Sequence, residues 1–295
     1  MPSPKKLLFS FFLLSQTVLS FAQTVTLPLN LDNGLLVPYG LPSIKVQIQG
    51  QTIPLLLDTG SADGIVLSKN IIDRLKVNWT GKQRCSMTQS GKRCFATFFI
   101  PTLKLGSFIL HDVQGSEITK EWGNWPYQTF HKTAAFNNGI VGLAVLRQFN
   151  LLIDEPRKRL VLISLSDTQH LYNTQDWLEL PIQFAHQVNL FTPINYEGKT
   201  EQLAWDTAFI PAMLKSEPRW KQAAAPCSFQ AELTDPKAKC VTVKHFTNQK
   251  YDFPATEFLL LDFPGFPFAG IVGATFFQQH VVLFNFERQK ILVQP

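Results

Sequence analysis

Two Asp-Thr pairs, each preceded by apolar residues, are the sequence feature that most limits how this 295-residue chain can fold. Asp58 follows the three leucines at 55–57, and Asp206 follows Leu203-Ala204-Trp205. An apolar run that ends at a turn is typical of a buried strand. Since Asp is rarely buried unless other groups satisfy it, a carboxylate at the end of such a strand requires a structural or chemical reason.

The same order of motifs surrounds both Asp-Thr pairs. A Gly-containing hairpin precedes each pair, with its turn at Gly50 in the first half and at Gly198 in the second. Downstream, Gly139-Ile140-Val141-Gly142 is matched by Gly270-Ile271-Val272-Gly273, and a short helix and a final hairpin are expected after each. The spacing between motifs is longer in the first half, and we expect the extra residues in a loop over 117–136. A repeat of this size indicates a duplicated lobe.

The duplication predicts an all-β fold built from two similar, β-barrel-like lobes. Most of the chain consists of short runs of strand-forming residues separated by turn residues, with few short helices. We expect the lobes at residues 23–172 and 173–295, with the boundary in the polar stretch 164–175. Two like lobes tend to pack about a pseudo-two-fold axis, and such an axis would bring Asp58 and Asp206 together.

Two facing carboxyl groups support a specific chemistry. Because like charges a few ångströms apart repel each other, the pair holds one proton between them. The ionised partner can take a proton from a water molecule, and the protonated partner can give one to the carbonyl oxygen under attack. The pattern therefore predicts amide hydrolysis without a metal, a cofactor or a covalent intermediate.

The first 22 residues are predicted to be a signal peptide rather than part of the fold. Lys5 and Lys6 precede an apolar run over 7–19, and a small-residue cleavage site ends at Ala22. The run is shorter than a membrane span, so an uncleaved anchor is the less favoured alternative. We expect an exported protein, periplasmic or secreted, without a stable membrane anchor.

The four cysteines are compatible with disulfide bonds in an exported protein. Three pairings are possible, and we favour Cys85–Cys94 with Cys227–Cys240 because each pair encloses a short polar segment that resembles a hairpin. Neither pair has the spacing of zinc ligands, and no matching pair of histidines accompanies them. Without the two lysines of the predicted signal peptide, the formal net charge falls from +5 to +3, which is mild, and no block of Lys or Arg indicates nucleic-acid binding.

The motif Asp58-Thr59-Gly60-Ser61, with Ile140-Val141-Gly142 downstream, resembles the aspartic peptidases of the pepsin and retropepsin families. The chain looks like two retropepsin-like lobes fused into one. The resemblance implies a bilobal, pepsin-like acid-protease fold with Asp58 and Asp206 as the catalytic dyad. It also implies an aspartic endopeptidase that acts as a monomer on a peptide or protein substrate in the cleft between the lobes.

The resemblance also implies roles for the neighbours of the dyad. Thr59 and Thr207 would each bond across to the backbone of the other lobe. Gly60 would lend its N–H group and Ser61 its hydroxyl to the Asp58 carboxylate. In these families a β-hairpin flap covers the substrate, and the segment between Cys85 and Cys94 lies where the first flap is expected. The segment between Cys227 and Cys240 is its counterpart, and a stapled surface hairpin is the alternative for both.

The second motif departs from the family pattern. Ala208 replaces the glycine of the Asp-Thr-Gly motif, and Phe209 stands where the first half has Ser61. Ala208 retains its N–H group, but its methyl group would cost strain if the position requires a positive φ. The side chain of Phe209, unlike a Ser hydroxyl, cannot donate a hydrogen bond to a carboxylate. The alternative hypothesis is therefore a catalytically impaired pseudo-peptidase that binds a peptide or protein partner in the cleft. Asp63 is expected to cap a turn rather than to line this cleft.

Overall fold

The structure is a computed structural model that describes residues 23–32, 40–88, 91–118, 134–165, 172–185, 189–228, 237–244, 253–262 and 266–294. The predicted signal peptide over 1–22 lies outside the described residues. So do most of the predicted loop over 117–136 and part of the predicted boundary stretch over 164–175. Within the described part of the chain, no helix is long and apolar enough to cross a membrane.

The first half of the chain consists mainly of strands separated by turn residues, as its short runs of strand-forming residues predict. Its strands are β1 (Thr24–Pro28), β2 (Asn30–Asp32), β3 (Leu41–Ile48), β4 (Gln51–Asp58), β5 (Ile65–Ser68), β6 (Asn78–Thr88), β7 (Gly91–Leu105), β8 (Phe108–Ile118), β9 (Gly139–Gly142), β10 (Phe149–Asp154) and β11 (Arg159–Ser164). Its helices are short: α1 (Lys69–Ile72), α2 (Ala134–Asn138) and α3 (Leu143–Leu146). A 3₁₀ turn over Glu155–Arg157 joins the last two strands.

The second half repeats this arrangement. Its strands are β12 (Leu178–Pro181), β13 (Gln183–Ala185), β14 (Asn189–Tyr196), β15 (Lys199–Trp205), β16 (Met213–Lys215), β17 (Ala225–Pro226), β18 (Lys239–Val243), β19 (Thr256–Leu261), β20 (Gly270–Val272), β21 (Val282–Asn285) and β22 (Lys290–Val293). Its helices are α4 (Pro218–Gln222) and α5 (Ala274–Phe277). The all-β, two-lobed prediction is confirmed.

Each half contributes one eight-stranded sheet, and the two sheets have the same pairing pattern. Their strand orders are β2-β3-β4-β9-β5-β8-β7-β6 and β13-β14-β15-β20-β16-β19-β18-β17. In the first sheet, β4 pairs parallel with β9, β9 antiparallel with β5, and β5 parallel with β8. In the second sheet, β15, β20, β16 and β19 follow the same sequence of pairings. The sequence repeat is therefore a repeat of topology.

A third, six-stranded sheet joins the two halves in the order β1-β11-β10-β21-β22-β12. Its central strands, β10 and β21, are antiparallel, and Leu152 lies opposite Leu283. The turns that follow these two strands have the same backbone conformation, since Lys158 and Gln289 both have a φ of 52°. Leu152 and Leu283 each lie six residues before one of these turn residues, so the two leucines occupy equivalent positions. The pseudo-two-fold axis therefore passes between these two leucines.

Disulfide bonds join Cys85 to Cys94 and Cys227 to Cys240, which is the pairing that the sequence favoured. Cys85 and Cys94 lie directly opposite each other in the β6–β7 hairpin, and both are exposed. The second disulfide is buried and packs against Leu259 of β19. The first disulfide therefore closes a hairpin from its outer side, whereas the second is part of a lobe's core.

Candidate active site

Asp58 and Asp206 lie at equivalent ends of two strands and meet at the interface of the halves. Asp58 is the last residue of β4, and Asp206 directly follows β15. The Asp58 side chain is buried, Asp206 is half-buried, and the two carboxyl groups share a hydrogen bond. The sequence separates these carboxyl groups widely, so the duplicated topology is what brings them together.

The packing around Trp205 fixes the end of the strand that carries Asp206. Trp205 is fully buried, and its indole Nε1 donates a hydrogen bond of 3.0 Å to Thr192 Oγ1. Four phenyl rings surround the indole with centroid distances of 5.7 to 6.2 Å, namely those of Phe253, Phe276, Phe277 and Phe284. Aromatic clusters of this kind bury a large apolar area. The residue that precedes Asp206 is therefore held in place by the core of the second half.

The glycines of the two Gly-Ile-Val-Gly motifs pass closely beneath the Asp loops. A Cβ atom on Gly142 would collide with the backbone oxygen of Asp63, and one on Gly273 would collide with that of Phe209. The residue after each glycine donates its N–H group to the Asp loop over 2.7 Å: Leu143 to the Ser61 oxygen and Ala274 to the Phe209 oxygen. Only glycine allows this approach of backbone to backbone.

Thr59 and Thr207 exchange a reciprocal set of hydrogen bonds across the interface. The N–H group of each donates to the Oγ1 atom of the other, and both distances are 3.1 Å. Each hydroxyl in turn donates to a backbone oxygen of the opposite half: Thr59 to Trp205 at 3.1 Å, and Thr207 to Leu57 at 2.6 Å. Both threonines are completely buried. These four bonds hold the two Asp loops in one relative position.

Backbone N–H groups supply the remaining partners of the two carboxyl groups. Ser61 donates its N–H group to Asp58 Oδ1 at 2.8 Å, and Ala208 donates its N–H group to Asp206 Oδ1 at 2.9 Å. The Ser61 hydroxyl instead accepts a hydrogen bond from the N–H group of Asp63 at 3.4 Å. Ser61 thus contacts Asp58 through its backbone N–H group. Because Phe209 also has a backbone N–H group, its phenyl side chain does not remove the equivalent hydrogen bond from the second half.

The environment raises the pKa of both carboxyl groups. Burial raises the pKa of Asp58 well above its ordinary value, and the charge of Asp206 raises it further. Hydrogen bonds from the N–H groups of Ser61 and Gly60 partly offset this rise because they lower the pKa. Burial raises the pKa of Asp206 to about 6, although hydrogen bonds from the N–H groups of Ala208 and Phe209 lower it. The hydrogen bond between the carboxyl groups raises the pKa of Asp58 and lowers that of Asp206. The two titrations therefore belong to the pair, which holds one proton between its two carboxyl groups.

The two Asp loops differ in how much room they leave beside the dyad. A Cβ atom on Gly60 would collide with Asp206 Oδ2. Ala208 has a methyl group at the equivalent position, and its φ does not lie in the left-handed region. The alanine therefore causes no backbone strain. Its methyl group is half-buried and packs against an apolar cluster that contains Leu56 and Ile210.

Phe209 packs into the second half. Its side chain is 3% exposed and belongs to a cluster with Met213 and Ile271. The ring replaces the small Ser61 of the first half, while the backbone oxygen of each of these two residues accepts a hydrogen bond from the residue after the motif's last glycine. Phe209 therefore fills space beneath the second Asp loop.

Asp63 forms an ion pair with a residue that sequence reasoning missed. Its Oδ1 atom accepts a hydrogen bond from the Arg84 guanidinium, and its Oδ2 atom accepts one of 3.1 Å from the Ser116 hydroxyl. Burial raises the pKa of Asp63, while Arg84 and Ser116 lower it. The expectation that Asp63 serves mainly to cap a turn was therefore wrong. The sequence pattern places Arg84 on the face of the hairpin opposite to Cys85, because successive strand residues face opposite sides, but it does not identify the partner of Arg84.

Comparisons with known proteins agree with this geometry. Residues 44–123 match a family model described as "gag-polyprotein putative aspartyl protease". The matched segment contains the Asp58 loop and the β6–β7 hairpin. No curated protein matches the chain in sequence.

The solved structures that resemble this fold include three that each match over 92% of this chain. Basic 7S globulin from soybean has a TM-score of 0.54, 12% identity and 95% of its chain covered. The aspartic proteinase from Irpex lacteus has a TM-score of 0.53, 13% identity and 97% coverage. Conglutin gamma, a basic 7S globulin from lupine seeds, has a TM-score of 0.55, 12% identity and 95% coverage. These identities show the fold, which is pepsin-like, and the predicted resemblance to aspartic peptidases is confirmed.

Proposed function

We propose that the protein is an exported aspartic endopeptidase that hydrolyses peptide bonds with a water molecule activated by Asp58 and Asp206. The observation that carries this proposal is that Asp58 and Asp206 meet at equivalent strand ends, with the Asp206 carboxyl group directly against Gly60 of the first Asp loop. The reciprocal threonine bonds support it, because they fix the two groups in one geometry. Such fixation is what efficient acid–base catalysis requires.

We assign the roles from the surroundings of the two groups, since burial and the charge of Asp206 raise the pKa of Asp58 and favour Asp58 as the protonated partner. The Asp206 carboxylate would accept a proton from the attacking water, while Asp58 would donate its proton to the oxygen of the scissile carbonyl. The resulting diol would collapse when Asp206 returns its proton to the leaving amine and Asp58 recovers a proton from the diol hydroxyl. The carbon–nitrogen bond breaks in this second step, and the dyad ends with one proton, as it began.

Several features support the remaining parts of the proposal. Both carboxyl groups come from one chain, so a monomer holds the complete dyad, with the peptide or protein substrate between the two halves. Two disulfide bonds are typical of an oxidising compartment outside the cytoplasm. The segment over 1–22 has the composition of a signal peptide for export to the periplasm or the medium.

A second candidate is a pseudo-peptidase that binds a peptide or protein partner in the same cleft. Ala208 favours it, because the equivalent position in the first half has no room for a methyl group beside the opposite carboxyl group. The methyl group of Ala208 would then crowd the place where the water or the substrate carbonyl has to lie. Binding would be retained while turnover would be lost.

A peptide library distinguishes the two candidates. The wild type is incubated with mixed peptides across acid to neutral pH, beside Asp58→Asn, Asp206→Asn and the surface control Asp176→Asn. The proposal expects cleavage by the wild type and the control and a loss of at least about 1,000-fold in both dyad variants. Absence of cleavage at every pH would refute the peptidase. A pepstatin-type inhibitor then reports whether the cleft still binds peptide-like ligands, as the second candidate requires.

A further inference from the structure

The β6–β7 hairpin is anchored to the first Asp loop by a half-buried ion pair. Asp63 and Arg84 have side-chain exposures of 17% and 33%, and both carboxylate oxygens of Asp63 have a partner. The backbone of Asp63 is itself fixed, because its oxygen accepts a hydrogen bond of 3.2 Å from the N–H group of Ala144 in α3. The ion pair therefore joins a hairpin at the edge of the sheet to a fixed part of the site.

The geometry of the hairpin makes this anchor effective. β6 is the edge strand of its sheet, and its pairing with β7 is irregular between Trp79 and Gln83. Gly81, in this irregular stretch, has a φ of +68°, a conformation that favours glycine. Such a bulge bends a strand and interrupts its ladder. Beyond it, the disulfide closes the outer side of the hairpin, while Arg84 reaches inward to Asp63.

The second half has no equivalent acidic residue. Counted from the loop's aspartate, the residue of the second Asp loop that corresponds to Asp63 is Pro211. Proline carries no charge and cannot pair with a cation. The coupling of a hairpin to an Asp loop through this position is therefore specific to the first half.

We propose that the Asp63–Arg84 ion pair positions the β6–β7 hairpin over the dyad and thereby sets how tightly the substrate is held. This inference rests on the proposed peptidase function and on the flap role that the resemblance to aspartic peptidases implies for this hairpin. Asp63 and Arg84 are positioning residues, because they act through the hairpin. Loss of the pair would free the hairpin beyond Gly81 and weaken its contacts with the substrate. The expected kinetic result is a rise in KM of about tenfold with little change in kcat.

A double-mutant cycle tests this coupling. The variants are Asp63→Asn, Arg84→Gln and the double variant. Because each single change breaks the same pair, all three should show the same rise in KM and the same increase in amide hydrogen exchange of the hairpin beyond Gly81. Effects that multiply in the double variant would mean that the two residues act independently, and the proposal would be wrong.

The exposed ion pair between Lys69 and Asp73 provides the matched control. Its side chains are 69% and 57% exposed, and it lies in the same half. The double change Lys69→Gln/Asp73→Asn should alter neither KM nor hairpin exchange, since exposed pairs contribute little. Hydrogen exchange is measured without substrate, so it tests the anchor even if the wild type cleaves nothing. Unchanged exchange in Asp63→Asn and Arg84→Gln would overturn the anchor while leaving the peptidase proposal intact.

Discussion

Glu155 offers a quantitative test of the packing near the pseudo-two-fold axis. It lies in the 3₁₀ turn between β10 and β11, is 3% exposed, and neither carboxyl oxygen has a hydrogen-bond partner among the described residues. The equivalent residue in the second half is Phe286, whose ring packs against the main core. A carboxyl group therefore occupies a position suited to an apolar side chain.

The predicted effect on stability follows from the pKa of Glu155. Burial raises this pKa from 4.5 to about 8. A tenfold change in proton affinity between the unfolded and folded chain corresponds to about 1.4 kcal/mol, so the ionisation of Glu155 lowers the free energy of unfolding by about 5 kcal/mol in total. Because the folded state binds the proton more tightly, the stabilisation is fully present below the ordinary pKa of Glu. It is lost as the pH rises to about 8.

Glu155→Gln removes this titration and retains the size of the side chain. The free energy of unfolding, measured with urea at pH values of about 5, 7 and 9, should therefore fall more steeply with pH for the wild type than for the variant. Glu179→Gln changes an exposed glutamate and serves as the control, with a curve parallel to the wild type. Parallel curves for wild type and Glu155→Gln would refute the reasoning, because they would mean that the ionisation of Glu155 does not lower the free energy of unfolding.

Four further predictions concern the dyad and its loops. The kcat/KM should rise as the pH increases through about 6, because Asp206 must lose its proton to act as the base, and a pH–rate profile measures this. Gly60→Ala should abolish cleavage because its Cβ atom collides with the Asp206 carboxyl group, whereas Ala208→Gly should retain it in the same peptide assay. Thr207→Val should cost about 2–4 kcal/mol in urea unfolding, because a backbone N–H and a backbone oxygen of the opposite half lose their partner. Phe209→Ser should cost about 3–5 kcal/mol and should not increase kcat/KM, since the ring lies in the core beneath the loop.

The repeat in the sequence was sufficient to predict the architecture and the meeting of the two Asp residues. Periodicity indicates strands, and duplication implies a symmetry axis, so the encounter of Asp58 and Asp206 follows without knowledge of side-chain packing. The cysteine pairing was predictable for a related reason, because Cys85 and Cys94 flank one hairpin and lie opposite each other in it.

Side-chain partners within the site were less predictable. The pairing of Asp63 with Arg84 depends on the angle between the hairpin and the Asp loop, which local patterns do not determine. The Ser61 hydroxyl accepts a hydrogen bond from the N–H group of Asp63 within the loop, and the sequence does not distinguish this partner from the Asp58 carboxylate. The fit of Phe209 was unpredictable for the same reason, since the space beneath the loop depends on β16 and β20. Glu155 lies in a pattern typical of an exposed charged turn, and only the symmetry with Phe286 indicates its burial.

The six-stranded sheet has a consequence for the origin and engineering of the molecule. If the chain were cut between β11 and β12, each fragment would carry half of this sheet and expose β10 or β21 as an unprotected edge. Because Leu152 and Leu283 are equivalent and opposite, two copies of either fragment could pair through that edge in the same register. Each such homodimer would be closed and would join two identical Asp loops. The present chain then corresponds to a dimer whose subunits have become free to diverge, with Asp63 in one loop and Pro211 in the other.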